Sequence, residues 1–349
     1  ATTNTGFSVA EKTFLNKNIF YFPLDLSWVT KKVILKKKPR FILLIELEIW
    51  PNFLISAFKK NIPVIILNGR ISNKSVKAYR TISRISKDFR NSLTSELNVF
   101  CARTEFDAQR FRDLGIPGKQ IFVTGTMKYD NIPTHIDKNI SKELVKLFHI
   151  DDDDLILVGG STHAGEEEIL IRVFERLNKV YPNLKLILAP RHVERTREVS
   201  KLIEKTGFVP VLKTEAERSG YKWKNTKREI ILIDTVGDLE KVYSISNFVF
   251  VGKSLVPSGG QNMMEPAGMG NPVIFGPHTY NFEEEVDLLL KNSAAKEIET
   301  EEELFGTVEF FIRNPDAAKE MGLKAQKVVN EKRGATERNI EILREIIKN

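Results

Sequence analysis

The stretch Phe248-Val249-Phe250-Val251-Gly252-Lys253-Ser254-Leu255, continuing through Pro257-Ser258-Gly259-Gly260-Gln261-Asn262-Met263-Met264-Glu265-Pro266, carries the fold in miniature. Its first four residues are β-branched or aromatic and do not alternate with polar ones. That is the mark of a strand buried on both faces. A single glycine, Gly252, stops the run, and the pair Gly259-Gly260 precedes a helix-compatible segment. Strand, turn and helix in this order make half of a βαβ unit, the element of parallel sheets.

The same order recurs outward along the chain. Strands are expected at Phe41–Ile45, Val64–Leu67, Val99–Ala102 and Ile121–Val123, then at Leu155–Gly159, Leu184–Ala189, Ile230–Ile233 and Val273–Phe275. Amphipathic stretches such as Glu166–Val180 and Arg195–Thr206 lie between them. The pattern occurs twice, with a polar linker at Asp130–Ile140. The expected class is α/β, with two doubly wound domains and a cleft between them. The first spans 1–135, the second 136–330, and residues 331–349 form a helix packing back on the body. In such folds ligands sit beyond the carboxyl ends of the strands.

The 349 residues suit two domains. Hydrophobic residues are 42%, enough apolar surface to argue against a disordered chain. A single cysteine, Cys101, excludes an internal disulfide framework and a cysteine-based metal cluster. The five histidines are scattered without HxH or HxxxH spacing, so no metal site is expected. The net charge of +7 is uneven: residues 1–135 hold 22 Lys+Arg and 10 Asp+Glu, residues 136–349 hold 31 and 36. A basic half faces something anionic, or merely a solvated surface. Lys31, Lys32, Lys36, Lys37, Lys38 and Arg40 form its densest patch. Only Trp28 accompanies it, which argues against single-stranded nucleic acid.

The strand ends are where chemistry is expected. After Leu155–Gly159 comes Gly160-Ser161-Thr162-His163-Ala164-Gly165-Glu166-Glu167-Glu168. Ser161 or Thr162 suits a helix cap and the glutamates suit a positive helix end. Alternatively, the glycines let a ligand approach, with His163 at the cleft edge. Pro190-Arg191-His192 delivers an arginine fork suited to phosphate, or to a surface salt bridge. At Asp234-Thr235-Val236-Gly237-Asp238, Thr235 or Asp234 caps a helix, or Gly237 admits a phosphate or base edge. Gly259-Gly260 is expected to open a helix with Glu265 about one turn in, beside an anion site. Glu265 then suits ribose hydroxyls. The Met263-Met264 pair reads as core filling. In the first half, Glu46 and Glu48 lie two apart on an extended segment and so share a face. One could stabilise developing positive charge or hold an incoming hydroxyl, or a buried salt bridge to Arg70 could hold them. Lys128, after Ile121–Val123, is a cation delivered to the cleft.

The chain begins Ala1-Thr2-Thr3-Asn4-Thr5-Gly6, read as a strand end turning into a helix over Phe7–Leu15. It lacks the basic start and apolar core of a signal peptide. The chain is therefore expected to be truncated at its N-terminus.

Taken in order, Thr2–Gly6, Glu46–Asn52, Asn68–Ser72, Gly125–Asp130, Gly160–Glu167, Pro190–Arg195, Asp234–Leu239, Gly252–Pro257, Gly259–Pro266 and Gly276–Phe282 resemble one family nearly end to end. It is the 3-deoxy-D-manno-octulosonic acid (Kdo) transferases of lipid A assembly, GT-B glycosyltransferases. The resemblance implies transfer of Kdo from CMP-Kdo to a glucosamine 6'-hydroxyl of a tetraacylated lipid A precursor (lipid IVA), with inversion and without a metal or other cofactor. It implies CMP contacts at Pro190, Arg191, Val236, Gly237, Asp238, Asn262, Met263, Met264 and Glu265. It implies an assisting carboxylate at Glu48, with Glu46 the alternative, and a stabilising cation at Lys128. It also implies an anionic membrane surface as partner, no nucleic acid, and work at the cytoplasmic face of a bacterial inner membrane.

Four positions depart from the family pattern: Thr126 for Asn, Lys253 for Gly, Gln261 for His and Asp238 for Glu. The family's catalytic base is a glutamate in a Ser-Val-Gly-Glu motif upstream of the Thr-rich segment. Ser8-Val9-Ala10-Glu11 lies after that segment, so the base and a membrane anchor are expected to precede Ala1. The chain as it stands is expected to be inactive. The rival readings are a GT-B sugar-nucleotide epimerase and a non-enzymatic protein that binds anionic membranes.

Overall fold

The computed structural model describes residues 2–14, 18–46, 49–218 and 228–348. The chain divides into two compact units, Ala1–Asp130 with Arg333–Asn349, and Asn131–Lys332. The sequence analysis sets the joints instead at 135/136 and 330/331.

The first unit holds strands β1 (Ile42–Ile45), β2 (Val64–Gly69), β3 (Val99–Ala102) and β4 (Ile121–Val123), all parallel and in the order β1-β2-β3-β4. The interior strand β2 buries Val64 through Leu67 on both faces, as its unbroken apolar run requires. The edge strand β1 alternates instead, leaving Leu43 and Ile45 exposed. Phe89, Phe100 and Phe111 fill the core beside Ile66 and Ile71. The chain returns to this unit at its end. Asp130 accepts from the backbone N–H groups of Gly334 and Thr336, both at 2.6 Å. Arg338 Nε donates to the Thr124 carbonyl at 2.8 Å. The helix Ala335–Lys348 then lays Ile342, Leu343 and Ile346 over Ile65, Leu67 and Cys101.

Cys101 is fully buried, and burial pushes its thiol up to about 12. Thiolate, the reactive form, is therefore scarce near neutrality. Native protein at pH 8 is expected to resist a thiol reagent that labels the urea-unfolded chain within minutes. Equal labelling rates would contradict this burial.

The second unit holds β5 (Leu155–Thr162), β6 (Leu184–Pro190), β7 (Val209–Leu212), β8 (Glu229–Leu232), β9 (Phe248–Val251), β10 (Val273–Phe275) and β11 (Ala295–Glu297). All are parallel, in the order β11-β10-β9-β5-β6-β8-β7. From β5 the chain passes to β6, goes out to the edge at β7, returns to β8 between β6 and β7, then crosses to β9 on the other side of β5. The β5/β9 boundary is the topological switch point of this sheet. Helix Glu166–Asn178 packs Leu170, Phe174 and Leu177 onto Leu157, Leu186 and Phe250. Burying each such side chain contributes about 1.5–3 kcal/mol.

The nine expected strands are present, and β7 and β11 are additions. Both additions are sheet edges. β7 reads Val209-Pro210-Val211-Leu212, and proline weakens a strand reading. β11 is three residues long and carries Lys296 and Glu297, the charge that edges tolerate and interiors do not. The N-terminal helix runs Asn4–Thr13, with the Thr3 hydroxyl accepting from Gly6 N–H. The Thr-rich start is thus a helix cap, not a strand end. Leu15, expected to end that helix, lies outside the described residues.

Candidate functional site

At the switch point the two strand ends approach closely. A Cβ on Gly252 would stand 2.5 Å from the Ser161 carbonyl and the Thr162 Cα, so only glycine fits there. Gly160 meets the buried Tyr243 hydroxyl in the same way. Ser161 and Lys253 both take left-handed backbone, at φ 53° and 62°. Non-glycine residues rarely accept this conformation.

One buried carboxylate joins the two ends. Glu166 is fully buried and accepts from the backbone N–H groups of Lys253 (2.7 Å), Ser254 (2.9 Å), Leu255 (3.0 Å) and His163 (2.9 Å). Its neighbours do other work. Glu167 takes the Arg195 guanidinium at 2.8 Å and the Thr162 hydroxyl at 2.9 Å. Glu168 accepts from Gly165 N–H. The helix is capped at Gly165 (φ 96°), not by Ser161 or Thr162. Thr162 belongs to β5 and its hydroxyl is spent on Glu167. The reading of three helix-end glutamates therefore missed Glu166, three of whose four partners lie 87 to 89 residues away.

Pro190 ends β6 and is buried, and exposed Arg191 follows it, its N–H donating to the Thr162 carbonyl. His192 and His163 meet edge-on with ring centroids 5.7 Å apart. Burial pushes His163 below the usual imidazole range. Lys253 and His192 add to that shift, while the Ser161 carbonyl and Glu166 oppose it. Burial likewise pushes Glu265 above the usual carboxyl range and Glu240 adds to it, against the opposing pull of Asn262 and Arg191. Arg191 and Glu265, far apart in sequence, thus act on each other electrostatically.

The helix expected from Gly259-Gly260 begins later, at Met264, and ends at Gly268. Gly259 and Gly260 have φ of 95° and 79°, which a right-handed helix cannot contain. Asn262 makes the turn instead: its Oδ1 accepts from Met264 N–H and its Nδ2 donates to Glu265 at 2.9 Å. Glu265 is the second helical residue, not one turn in. Met263 and Met264 are wholly buried, so they fill core as expected.

At the end of β8 neither Asp234 nor Thr235 caps the next helix, Leu239–Tyr243; Asp234 instead serves the start of helix Lys213–Ala216. Asp234 accepts from the Thr214 backbone and hydroxyl, and Thr235 donates to Asp238. Asp238 faces Lys241 at 2.7 Å and Lys213 at 3.2 Å. Burial alone would raise its pKa, but Lys241, Thr235 and Lys213 outweigh burial and hold it down to about 2. Its carboxylate is engaged inward. Val236 is 86% exposed, and Gly237 (φ 92°) has open space where a Cβ would stand. This loop offers backbone outward.

In the first unit, Glu46 follows β1 with φ 64° and an exposed side chain. Glu46 itself is therefore left-handed, where extended backbone was expected. Glu48 lies outside the described residues. Lys128 is exposed in the short turn Met127–Tyr129, its ammonium 5.4 Å from the Tyr129 ring. The Trp50-Pro51-Asn52 motif starts helix Pro51–Phe58. Proline takes the first position, and Asp25 accepts from Asn52 N–H (3.0 Å) and Phe53 N–H (2.8 Å). Asp25 was not expected from sequence. It is a cap supplied from 27 residues upstream. No group of three or more potential metal ligands occurs among the described residues.

The sequence model described as 3-deoxy-D-manno-octulosonic-acid transferase (kdotransferase) matches residues 1–131. The 3-deoxy-D-manno-octulosonic acid transferase of Haemophilus influenzae is 33% identical over 98% of this chain and 78% of its own. Among solved structures, the C-terminal CMP-Kdo binding domain of WaaA from Acinetobacter baumannii aligns with 55% of this chain and 96% of its own, at TM-score 0.50 and 24% identity. A glycosyltransferase from Rickettsia africae aligns with 100% of this chain and 89% of its own, at TM-score 0.54 and 17% identity. At those identities the two structures speak for the fold, which is GT-B. The expected N-terminal truncation is not borne out by these comparisons. At one third identity across nearly its whole length, the chain belongs to the 3-deoxy-D-manno-octulosonic acid transferase family.

Proposed function

We propose that the chain transfers Kdo from CMP-Kdo to a lipid A precursor such as lipid IVA, with inversion and without a metal. Family membership supports Kdo transfer in lipopolysaccharide assembly. The donor reading rests on one observation above all: adjacent strand ends of the second sheet deliver exposed Arg191, after β6, and Glu265, held by Asn262 in the turn and helix after β9, on either side of β5. A guanidinium fork and a carboxylate at the same end of one sheet suit a nucleoside monophosphate, taking phosphate and ribose respectively. The related Acinetobacter domain is one that binds CMP-Kdo.

In this reading the acceptor hydroxyl attacks the anomeric carbon of Kdo, its proton passes to solvent, and the bond to the CMP phosphate breaks, releasing CMP. Negative charge grows on the departing phosphate, and Arg191 stabilises it there. Glu265 holds the ribose hydroxyls. The exposed Val236-Gly237 backbone, with Asp238 held by its lysines, borders the nucleotide, as do Pro190 and the Asn262–Met264 turn. Glu48 and Lys128 stabilise the transition state from the acceptor side. Calorimetric titration tests the donor assignment. CMP is expected to bind more tightly than UMP, and equal binding, or none, would overturn it. Chelation with EDTA is expected to leave turnover unchanged.

The acceptor side is membrane-facing in this reading. Helix Ser27–Lys37 exposes Lys31, Lys32, Lys36 and Lys37, and Leu24, Trp28 and Leu35 are exposed around it at 76%, 68% and 45%. No helix among the described residues is long and apolar enough to cross a membrane. Basic and apolar groups together suit the interface of an anionic bilayer. Replacing Lys36 and Lys37 by glutamate is expected to weaken binding to phosphatidylglycerol vesicles by about fivefold or more per residue. Unaltered sedimentation with vesicles would contradict this surface.

A further inference from the structure

Lys253 occupies a position that its backbone argues against. It sits at the carboxyl end of β9 with φ 62°, directly across the switch point from Ser161, which is left-handed as well. Glycine would adopt this conformation freely, whereas lysine adopts it at a cost. The backbone is held there from three directions. Its N–H donates to the buried Glu166, its carbonyl accepts from Gly260 N–H at 2.8 Å, and Gly252 before it is wedged against the Ser161 carbonyl. The half-buried side chain gains nothing from the protein in return: among the described residues its ammonium makes no hydrogen bond or ion pair. Strained residues held by their surroundings concentrate at ligand sites.

Two cations, Lys253 and Arg191, flank a pair of imidazoles here. Lys253 acts on His163, which touches His192, and Arg191 precedes His192. Three adjacent strands, β9, β5 and β6, therefore bring basic groups to one end of the sheet. The charge in reach on the other side is the Glu166 carboxylate, which is already committed to four backbone N–H groups. Among the described residues no carboxylate is paired with the Lys253 ammonium, so an anion from outside would displace none.

We propose that Lys253 is an anion-contacting residue of the donor site, its ammonium taking either the phosphate of the donor nucleotide or the carboxylate of the sugar acid. The inference rests on the donor reading above and adds a residue to it. Three variants test it. K253M keeps the stem and the backbone conformation and removes only the charge. K253R keeps the charge. K253G removes both the charge and the backbone strain. The expected result is a KM for CMP-Kdo raised about 10- to 100-fold in K253M and K253G, and near wild type in K253R. K253G is expected to melt no lower than wild type, which separates lost charge from lost fold. Titration with CMP alone assigns the source. A weakened Kd in K253M marks the phosphate, and an unchanged Kd with a raised KM for CMP-Kdo marks the carboxylate. Wild-type KM and Kd in both K253M and K253G would overturn the role of Lys253 while leaving the donor reading standing. Failure of the unmutated protein to bind CMP or CMP-Kdo would overturn both.

Discussion

Arg191→Ala is expected to lower kcat/KM for Kdo transfer by about 10²–10³-fold, or about 2.7–4 kcal/mol of transition-state stabilisation. In the proposed reaction the departing CMP carries its growing charge on phosphate, and the Arg191 guanidinium would meet that charge with two parallel N–H donors. Arg191→Lys is expected to recover only part of the loss, since an ammonium is a point charge without the fork. The melting temperature should hardly move. The side chain is exposed, and the residue's tie to the sheet is its backbone N–H on the Thr162 carbonyl, which alanine keeps. Initial-rate kinetics with melting curves read both quantities. A rate within threefold of wild type would remove Arg191 from the reaction.

Glu166→Ala is expected to destabilise the second unit by about 3–5 kcal/mol. Four backbone N–H groups lose their acceptor at once, and each buried unsatisfied donor costs about 1–3 kcal/mol before water or relaxation recovers some of it. Glu166→Gln should lose less. Its amide oxygen still accepts, but its NH₂ is turned toward other donors. Because the same carboxylate sets the backbone of His163 and Lys253, the milder variant should also raise the KM for CMP-Kdo. Urea unfolding followed by circular dichroism checks the first effect. A loss below about 1 kcal/mol in the alanine variant would show that the clamp contributes little.

These two residues differ in how far they could be read before the fold was known. Arg191 follows an apolar run that is buried on both faces, and such runs mark their own ends. The central strands were legible for that reason, and with them the residues that each strand delivers. The edge strands β7 and β11 were not, because edges admit proline and charge. Glu265 was legible as a carboxylate near Gly259-Gly260, but the helix start was not. The two glycines looked like a helix opening until their left-handed conformation ruled it out. Glu166 was hidden by its neighbours. Three glutamates at a helix start satisfy the helix dipole equally well on paper, and only a contact 87 residues away sets one of them apart. Asp25 was missed for the same reason, as a cap distant from the helix it serves. Nonlocal polar contacts leave no periodicity, so no local pattern announces them.

The Kdo transfer reaction itself is the most direct test. The protein, expressed from its complete reading frame, is incubated with a tetraacylated lipid A precursor and, in separate reactions, with CMP-Kdo, UDP-glucose and UDP-N-acetylglucosamine. Products are then resolved by mass spectrometry. Kdo joined to the lipid from CMP-Kdo alone, with CMP released only when acceptor is present, is the expected result. Transfer from a UDP-sugar, or conversion of one without any acceptor, would contradict it.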